Sequence, residues 1–212
     1  MLPITKFQRL VSFGLKCGAF ASVAWSFAAC SPSFEGEYSD PAKAEIVDDK
    51  WNETDARKTA EHMIQGMLEK PWLKDFQKTH GGKKPLVIVD DVVNSTDEHL
   101  DVRQLTDYIQ DELINSGKVG FVDKARRQKI LDEMKYQHSG EVKADTAKKK
   151  GEQVGADFFL GGNISSSVHT QDERKTVTYQ TNLTLTNIQT GLLDWSTKYE
   201  IKKNFKRSGA GW

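Results

Sequence analysis

One residue in this 212-residue chain has both the chemistry and the setting to react, and it is Cys30. It follows Phe27-Ala28-Ala29 and precedes Ser31, at the end of a short apolar run. Lys6, Arg9 and Lys16 lie in or before that run, and no acidic residue occurs before Glu35. A basic start, an apolar middle and a small-residue exit make a secretory signal cut just ahead of the cysteine. The thiol left at the new amino terminus is a nucleophile that can take a lipid. An ordinary signal peptide followed by a chance cysteine is the plainer alternative. A membrane-spanning helix is disfavoured, because Cys17 to Ala29 is too short to cross about 30 Å of hydrocarbon.

Elsewhere the search for chemistry returns little. The histidines are His62, His80, His99, His138 and His169; no two stand four apart, and no Cys-x-x-Cys occurs, so no zinc site is expected. There is no G-x-S-x-G elbow, S-x-x-K pair or Walker loop. Gly161-Gly162-Asn163 reads as a bulge within a strand rather than a phosphate cradle. Asp90-Asp91 closes a strand and could hold a cation or only a hydrogen-bonded turn. Lys148-Lys149-Lys150 reads as a wet helix face, with an anionic-partner site as the sharper alternative. Four Asn-x-Ser/Thr triplets, at Asn52, Asn94, Asn163 and Asn182, mean little in a bacterial lipoprotein. Without a nucleophile and base or clustered ligands, the chain is expected to be no enzyme and to need no cofactor or metal.

Charge and cysteine content narrow the class further. Lys+Arg and Asp+Glu are 30 each; removing residues 1–29 takes away Lys6, Arg9 and Lys16 and leaves 27 against 30, about −3. A nucleic-acid binder usually carries a basic excess. Of the two cysteines, cleavage discards Cys17 and lipidation occupies Cys30, so the folded part must rest on its apolar core.

The elements that follow must present whatever surface does the work. Residues 1–29 are read as signal peptide and 30–50 as a lipidated tether, acidic and poor in aliphatics. Twenty residues of tether reach at most ~65–70 Å. A globular domain is expected over 51–204, with a tail at 205–212. Asn52 caps a helix bearing Ala56, Ala60, Met63 and Met67; Pro71 stops it, and Trp72, Leu73 and Phe76 form a short turn or helix. Leu86-Val87-Ile88-Val89 is a buried strand. Asp101 caps a helix with Val102, Leu105, Ile109, Leu113 and Ile114 inward. Val119 to Val122 is a short strand, Asp123 caps a helix with Ile130, Leu131 and Met134 inward, and Asp145 caps one more. Phe158–Val168, Lys175–Asn187 and Leu192–Lys203 form an antiparallel meander. Val177, Tyr179, Leu183 and Leu185 share a buried face; so do Leu193, Trp195, Tyr199 and Ile201. Lys198, Glu200, Lys202 and Lys203 belong to the wet face. The fold class is α/β (α+β): a mixed, mostly antiparallel sheet of four to five strands, its first two parallel and the rest antiparallel, flanked by helices.

Several segments in order resemble the LpoB family of lipoprotein activators of class A penicillin-binding proteins. They are Trp51-Asn52-Glu53-Thr54-Asp55-Ala56, Pro71-Trp72-Leu73, Leu86-Val87-Ile88-Val89-Asp90 with Asn94 and Thr96, Asn115-Ser116-Gly117-Lys118, Val154-Gly155-Ala156-Asp157, Gln189-Thr190-Gly191 and Trp195-Ser196. Phe27-Ala28-Ala29-Cys30 likewise resembles a lipobox, with Phe27 where Leu is usual. The resemblance covers roughly Trp51 to Lys203. It implies a fold like the TolB amino-terminal domain. It also implies a monomeric, outer-membrane, periplasm-facing lipoprotein that docks on a noncatalytic module of a peptidoglycan synthase and raises its activity without catalysis of its own. Ser31 after the cysteine fits outer-membrane sorting by the enteric rule. The family's best-known tether is long and Pro-rich, whereas this one is short. The competing expectation is a structural or secretion-associated lipoprotein of the same superfamily, curli-pore-like or flagellar-ring-like. Candidate docking residues are the loop Asn94, Ser95, Thr96 and Asp97, of which Asn94 and Thr96 could instead close a turn, and Arg126 and Arg127. These two arginines open a helix, the unfavourable end for cations, which suits an acidic partner or a solvated surface.

Overall fold

A computed structural model describes Gly36, Tyr38, Asp40, Lys43 and residues 48–206. Cys30, the expected signal segment and most of the expected tether lie outside the described residues. All the elements below belong to one unit spanning residues 39–212.

The chain runs α1 (Glu53–Leu68), α2 (Pro71–Thr79), β1 (Leu86–Val89), β2 (Val93–Asn94), α3 (Val102–Asn115), β3 (Gly120–Phe121), α4 (Arg127–Gln137), β4 (Phe158–Gln171), β5 (Arg174–Asn187) and β6 (Leu193–Lys206). Local chemistry sets these boundaries. Asn52 and Asp55 form a reciprocal capping box at α1, at 3.1 and 3.0 Å, a device worth about 1 kcal/mol. Pro71 sits in the first turn of α2, where its missing N–H costs nothing. Gly81 and Gly82, both at positive φ, end the segment. The Asp101 carboxylate accepts from the Arg103 amide at 3.1 Å to start α3.

The sheet has six strands in the order β3-β1-β4-β5-β6, with β2 beside β4. That is one more strand than the four to five expected, the extra one being the two-residue β2. As expected, β1 and β3 are parallel. The expectation that the rest is antiparallel fails at β4, which runs parallel to both β1 and β2. The long connection through α4 provides the crossover that a parallel neighbour requires. β4, β5 and β6 then form the anticipated antiparallel meander.

One face of the sheet carries the core. Ala56, Ala60, Met63, Ile64 and Met67 of α1 and Leu105, Ile109 and Leu113 of α3 meet Val87, Val89, Leu160, Ile164, Val177, Leu183 and Leu185. Trp72 and Phe76 of α2 pack edge-on against Phe158, with ring centroids 5.3 and 5.5 Å apart. Each such side chain stabilises the fold by about 1.5–3 kcal/mol. The opposite face of β5 is a row of half-buried polar residues, Thr176, Thr178, Gln180, Asn182 and Thr184.

Several local expectations are overturned, among them Ile114, which is 50% exposed rather than inward on α3. Leu193 is 62% exposed, because a bulge at Leu185/Thr186 pairs Thr186 with Leu193 and Leu185 with Trp195, leaving Asp194 as the extra residue. Gly161-Gly162 is not a bulge; the register with β5 is unbroken there, and a Cβ on Gly162 would lie 1.9 Å from the Asn182 carbonyl oxygen. Lys203 is not on the wet face but buried, since it shares the inward parity of Trp195 and Ile201. Finally, α4 buries no residue at all, so Ile130, Leu131 and Met134 do not enter the core. Asp123 caps the turn ahead of α4 through the Arg126 amide at 3.1 Å. No helix follows Asp145; Lys148 and Lys149 lie in irregular chain and Lys150 in a turn.

Candidate functional site

The Asn94–Asp97 loop is built at the carboxyl end of β2. The Val93↔Asn163 and Asn94↔Ile164 pairs with β4 fix its base, and the Ser95 amide donates to the Ile164 carbonyl at 2.7 Å. The Asn94 side-chain oxygen accepts from the Thr96 amide at 2.9 Å and the Thr96 hydroxyl at 2.8 Å. Its amide nitrogen donates to the Glu98 carbonyl at 2.8 Å. The Glu98 amide in turn donates to Thr96 Oγ1 at 3.1 Å. Asn94 and Thr96 are thus occupied in closing the turn. Ser95, Asp97 and His99 alternate with them and face solvent beside exposed Val93.

A residue from the far hairpin braces this loop. Tyr179 on β5 is 1% exposed and donates its hydroxyl to the Glu98 carboxylate at 2.9 Å, with the Asp49 carbonyl 3.3 Å away. Burial, then the Glu98 carboxylate, push the Tyr179 phenol well above its ordinary range. Trp51 closes over the same ring edge-on, at 5.5 Å. The loop is therefore anchored to the core on one side and open on the other, which suits a contact surface held in place before a partner arrives.

Arg126 and Arg127 lie on the segment after β3. Lys124 is ion-paired to Asp90 at the end of β1 and holds its carboxyl below the usual 3.8. Arg126 pairs with Asp123 at 3.4 Å, and Arg127 opens α4. Both arginines are exposed. Among the described residues, no hydrogen bond or ion pair joins them to the Asn94–Asp97 loop. Both follow the carboxyl ends of parallel strands.

Sequence reasoning missed two features. The Glu98–Tyr179 brace joins residues 81 apart, and only the inward parity of Tyr179 pointed to it. Lys203 pairs with Asp55 at 2.6 Å, with both side chains under 10% exposed; its parity with Trp195, Tyr199 and Ile201 was the one sequence signal for a buried lysine. Among the described residues there is no group of three or more His, Cys, Asp and Glu that could hold a metal, and no helix long and apolar enough to cross a membrane. The largest hollow described, about 840 Å³, lies between α2 and β6 and is lined by Pro71, Trp72, Asn187, Trp195 and Ser196 among others. Its aromatic floor is tied up in packing: Trp72 and Trp195 are 7% and 8% exposed, and the Trp72 indole donates to the Met67 carbonyl at 2.8 Å.

Comparison with known proteins places this arrangement. The solved LpoB C-terminal domain from Salmonella enterica is 20% identical, with 70% of this chain and 99% of that one covered, at a TM-score of 0.41. The Escherichia coli domain is 22% identical over 70% and 99%, at 0.40. Lipoprotein GNA1162 from Neisseria meningitidis is 14% identical over 59% and 88%, at 0.36. No curated protein sequence matches the chain. The family model described as "Peptidoglycan-synthase activator LpoB" matches residues 55–201, more than half of the chain, and the chain therefore belongs to the LpoB family.

Proposed function

We propose that this protein is an outer-membrane lipoprotein, anchored through Cys30 and facing the periplasm, that docks on a class A penicillin-binding protein and raises its activity without chemistry of its own. Residues 1–29 are the signal, 30–50 the tether, 51–204 the docking domain and 205–212 a tail. The observation that carries the reading is the family match over residues 55–201. It is joined by a braced loop that presents Ser95 and Asp97 to solvent while its turn-closing neighbours are fixed. Arg126 and Arg127 supply a second, cationic contact.

Such a protein acts by population shift: it stabilises the active form of the synthase only to the extent that it binds that form better. A tenfold rise in the active fraction needs about 1.4 kcal/mol of differential affinity. The test is glycan polymerisation by the cognate synthase with and without the chain from Ser31 onward. The rate is expected to rise with saturable dependence on added protein. No change in rate together with no co-precipitation of the synthase would sink the reading, and a large ring on sizing the detergent-extracted protein would favour the ring-forming alternative.

A further inference from the structure

The segment between β3 and β4 stands apart from the rest of the molecule in charge and in packing. Residues 124–154 hold nine Lys and Arg against five Asp and Glu, whereas the remainder of the cleaved chain is net acidic. The protein is therefore an electrical dipole, and this lobe is its positive end. The lobe also exposes apolar side chains that an ordinary helix would bury. Ile130 and Leu131 on α4 are 43% and 45% exposed, and Tyr136 and Val154 more so.

Cations and apolar groups here line the same two hollows. One, about 360 Å³, is floored by Leu131 and Met134 and rimmed by Lys135 and Lys150. The other, about 430 Å³, is floored by Ile130 and Met134 and rimmed by Lys129 and Lys148. Glu133 and Glu152 also line the second hollow, where Glu152 faces Lys149 at 4.0 Å and Glu133 accepts from Gln137 at 2.9 Å; Asp132 accepts from Gln128 and Lys135, both at 3.0 Å. Among the described residues, Arg127, Lys129, Lys148 and Lys150 have no ion-pair partner, since the pairs in this lobe involve Lys124, Arg126, Lys135 and Lys149.

We propose that this lobe is a membrane-contact surface for an anionic phospholipid bilayer, with lipid phosphates on Lys129, Lys148 and Lys150 and with Ile130 and Leu131 set into the headgroup boundary. Charge complementarity selects this occupant. Unpaired cations around short apolar side chains match the layered polarity of an anionic interface, and a basic amphipathic helix lies in such an interface with its apolar side inward. The dipole turns the lobe toward the surface and leaves the acidic part of the domain pointing away. The inference does not depend on the synthase reading.

The test uses the unlipidated chain from Ser31 to Trp212, which retains every core residue from Ala56 to Trp195. It is floated with vesicles of pure phosphatidylcholine or of phosphatidylcholine with 30% phosphatidylglycerol. Binding is expected to the anionic vesicles only, and to weaken as salt is raised. Lys148→Gln with Lys150→Gln is expected to weaken it about 25-fold, at roughly fivefold for each cation. Ile130→Ser with Leu131→Ser is expected to remove the salt-resistant remainder. Both variants should melt with the parent, because α4 buries nothing and Lys148 and Lys150 are exposed. Equal flotation on neutral and anionic vesicles, no flotation, or variants that bind like the parent would overturn the proposal. So would a dimer in light scattering that the Ile130→Ser/Leu131→Ser variant loses, which gives the face to a second copy. Loss of synthase activation by these variants without vesicle binding would give it instead to an acidic protein.

Discussion

The Lys203–Asp55 pair is the sharpest point at which to test this structure, because three elements end on it. Lys203 lies three residues from the end of β6, and its ammonium also donates to the Lys50 carbonyl, just ahead of α1. Asp55 closes the capping box of α1 through the Asn52 amide. The two side chains are 3% and 8% exposed, which takes the pair out of the class of surface ion pairs worth 0–1 kcal/mol. Lys203→Met keeps the length and apolar stem of the side chain, so no cavity accounts for the loss. What remains is a buried carboxylate with one amide donor and no cation. Breaking a buried pair from one side costs about 3–5 kcal/mol, against about 5–15 kcal/mol for a whole domain. For a domain of this size that is a fall in Tm of roughly 10–15 °C. Urea denaturation of the parent, of Lys203→Met and of Asp55→Asn/Lys203→Met is the assay. The double variant should recover part of the loss, because the carboxamide that replaces the stranded carboxylate carries no charge. Exposed Lys198→Met serves as the control and should stay within about 0.5 kcal/mol. A Lys203→Met cost below about 1 kcal/mol would show that the pair is solvated and that this reasoning is wrong.

Further outcomes follow from the loop and from the shifted groups. Asn94→Ala should cost about 1–2 kcal/mol in chemical denaturation, because it strips the turn of its closing hydrogen bonds. Ser95→Arg with Asp97→Arg should instead leave stability within about 0.5 kcal/mol while lowering stimulation of glycan polymerisation; unchanged stimulation would remove this loop from the interface. Tyr179 carries a raised phenol pKa in the fold, so its contribution is complete below pH ~10 and is lost as pH rises beyond the ordinary tyrosine range. An ultraviolet titration should therefore show one tyrosine that ionises only with unfolding, and its ionisation alongside the exposed tyrosines would contradict the Glu98 brace. Asp49, hydrogen-bonded to Lys175, and Asp90, hydrogen-bonded to Lys124, sit below their ordinary 3.8 when folded. Their stabilisation is present above about pH 4 and fades as pH falls through the folded values. Asp49→Asn should flatten the acid limb of the urea midpoint, and a steeper limb would refute the sign.

Much of this fold was written in local chemistry that a sequence displays. The Asn52 box, Pro71, Gly81-Gly82 and Asp101 each mark a boundary through a requirement of their own backbone, and all four boundaries stand. The period-two pattern of Val177, Tyr179, Leu183 and Leu185 likewise found the face that meets the helices. The failures have one cause, which is that periodicity reports a face without reporting what lies against it. The apolar spacing of Ile130, Leu131 and Met134 is that of a core helix, yet nothing covers it. The alternation along β6 put Leu193 inside because a one-residue bulge is invisible in an unaligned strand, whereas it gave Lys203 the inward parity of Trp195 and Ile201, which the charge of the lysine overrode because its partner was not known. The docking loop falls between these cases. Asn94 and Thr96 were legible as turn formers, and because they are consumed in that role, the residues left for a partner are the ones between and beyond them. A surface of this kind is specified by what its neighbours do not do, so the structure had to assign every hydrogen bond of Asn94 and Thr96 before Ser95 and Asp97 could be singled out.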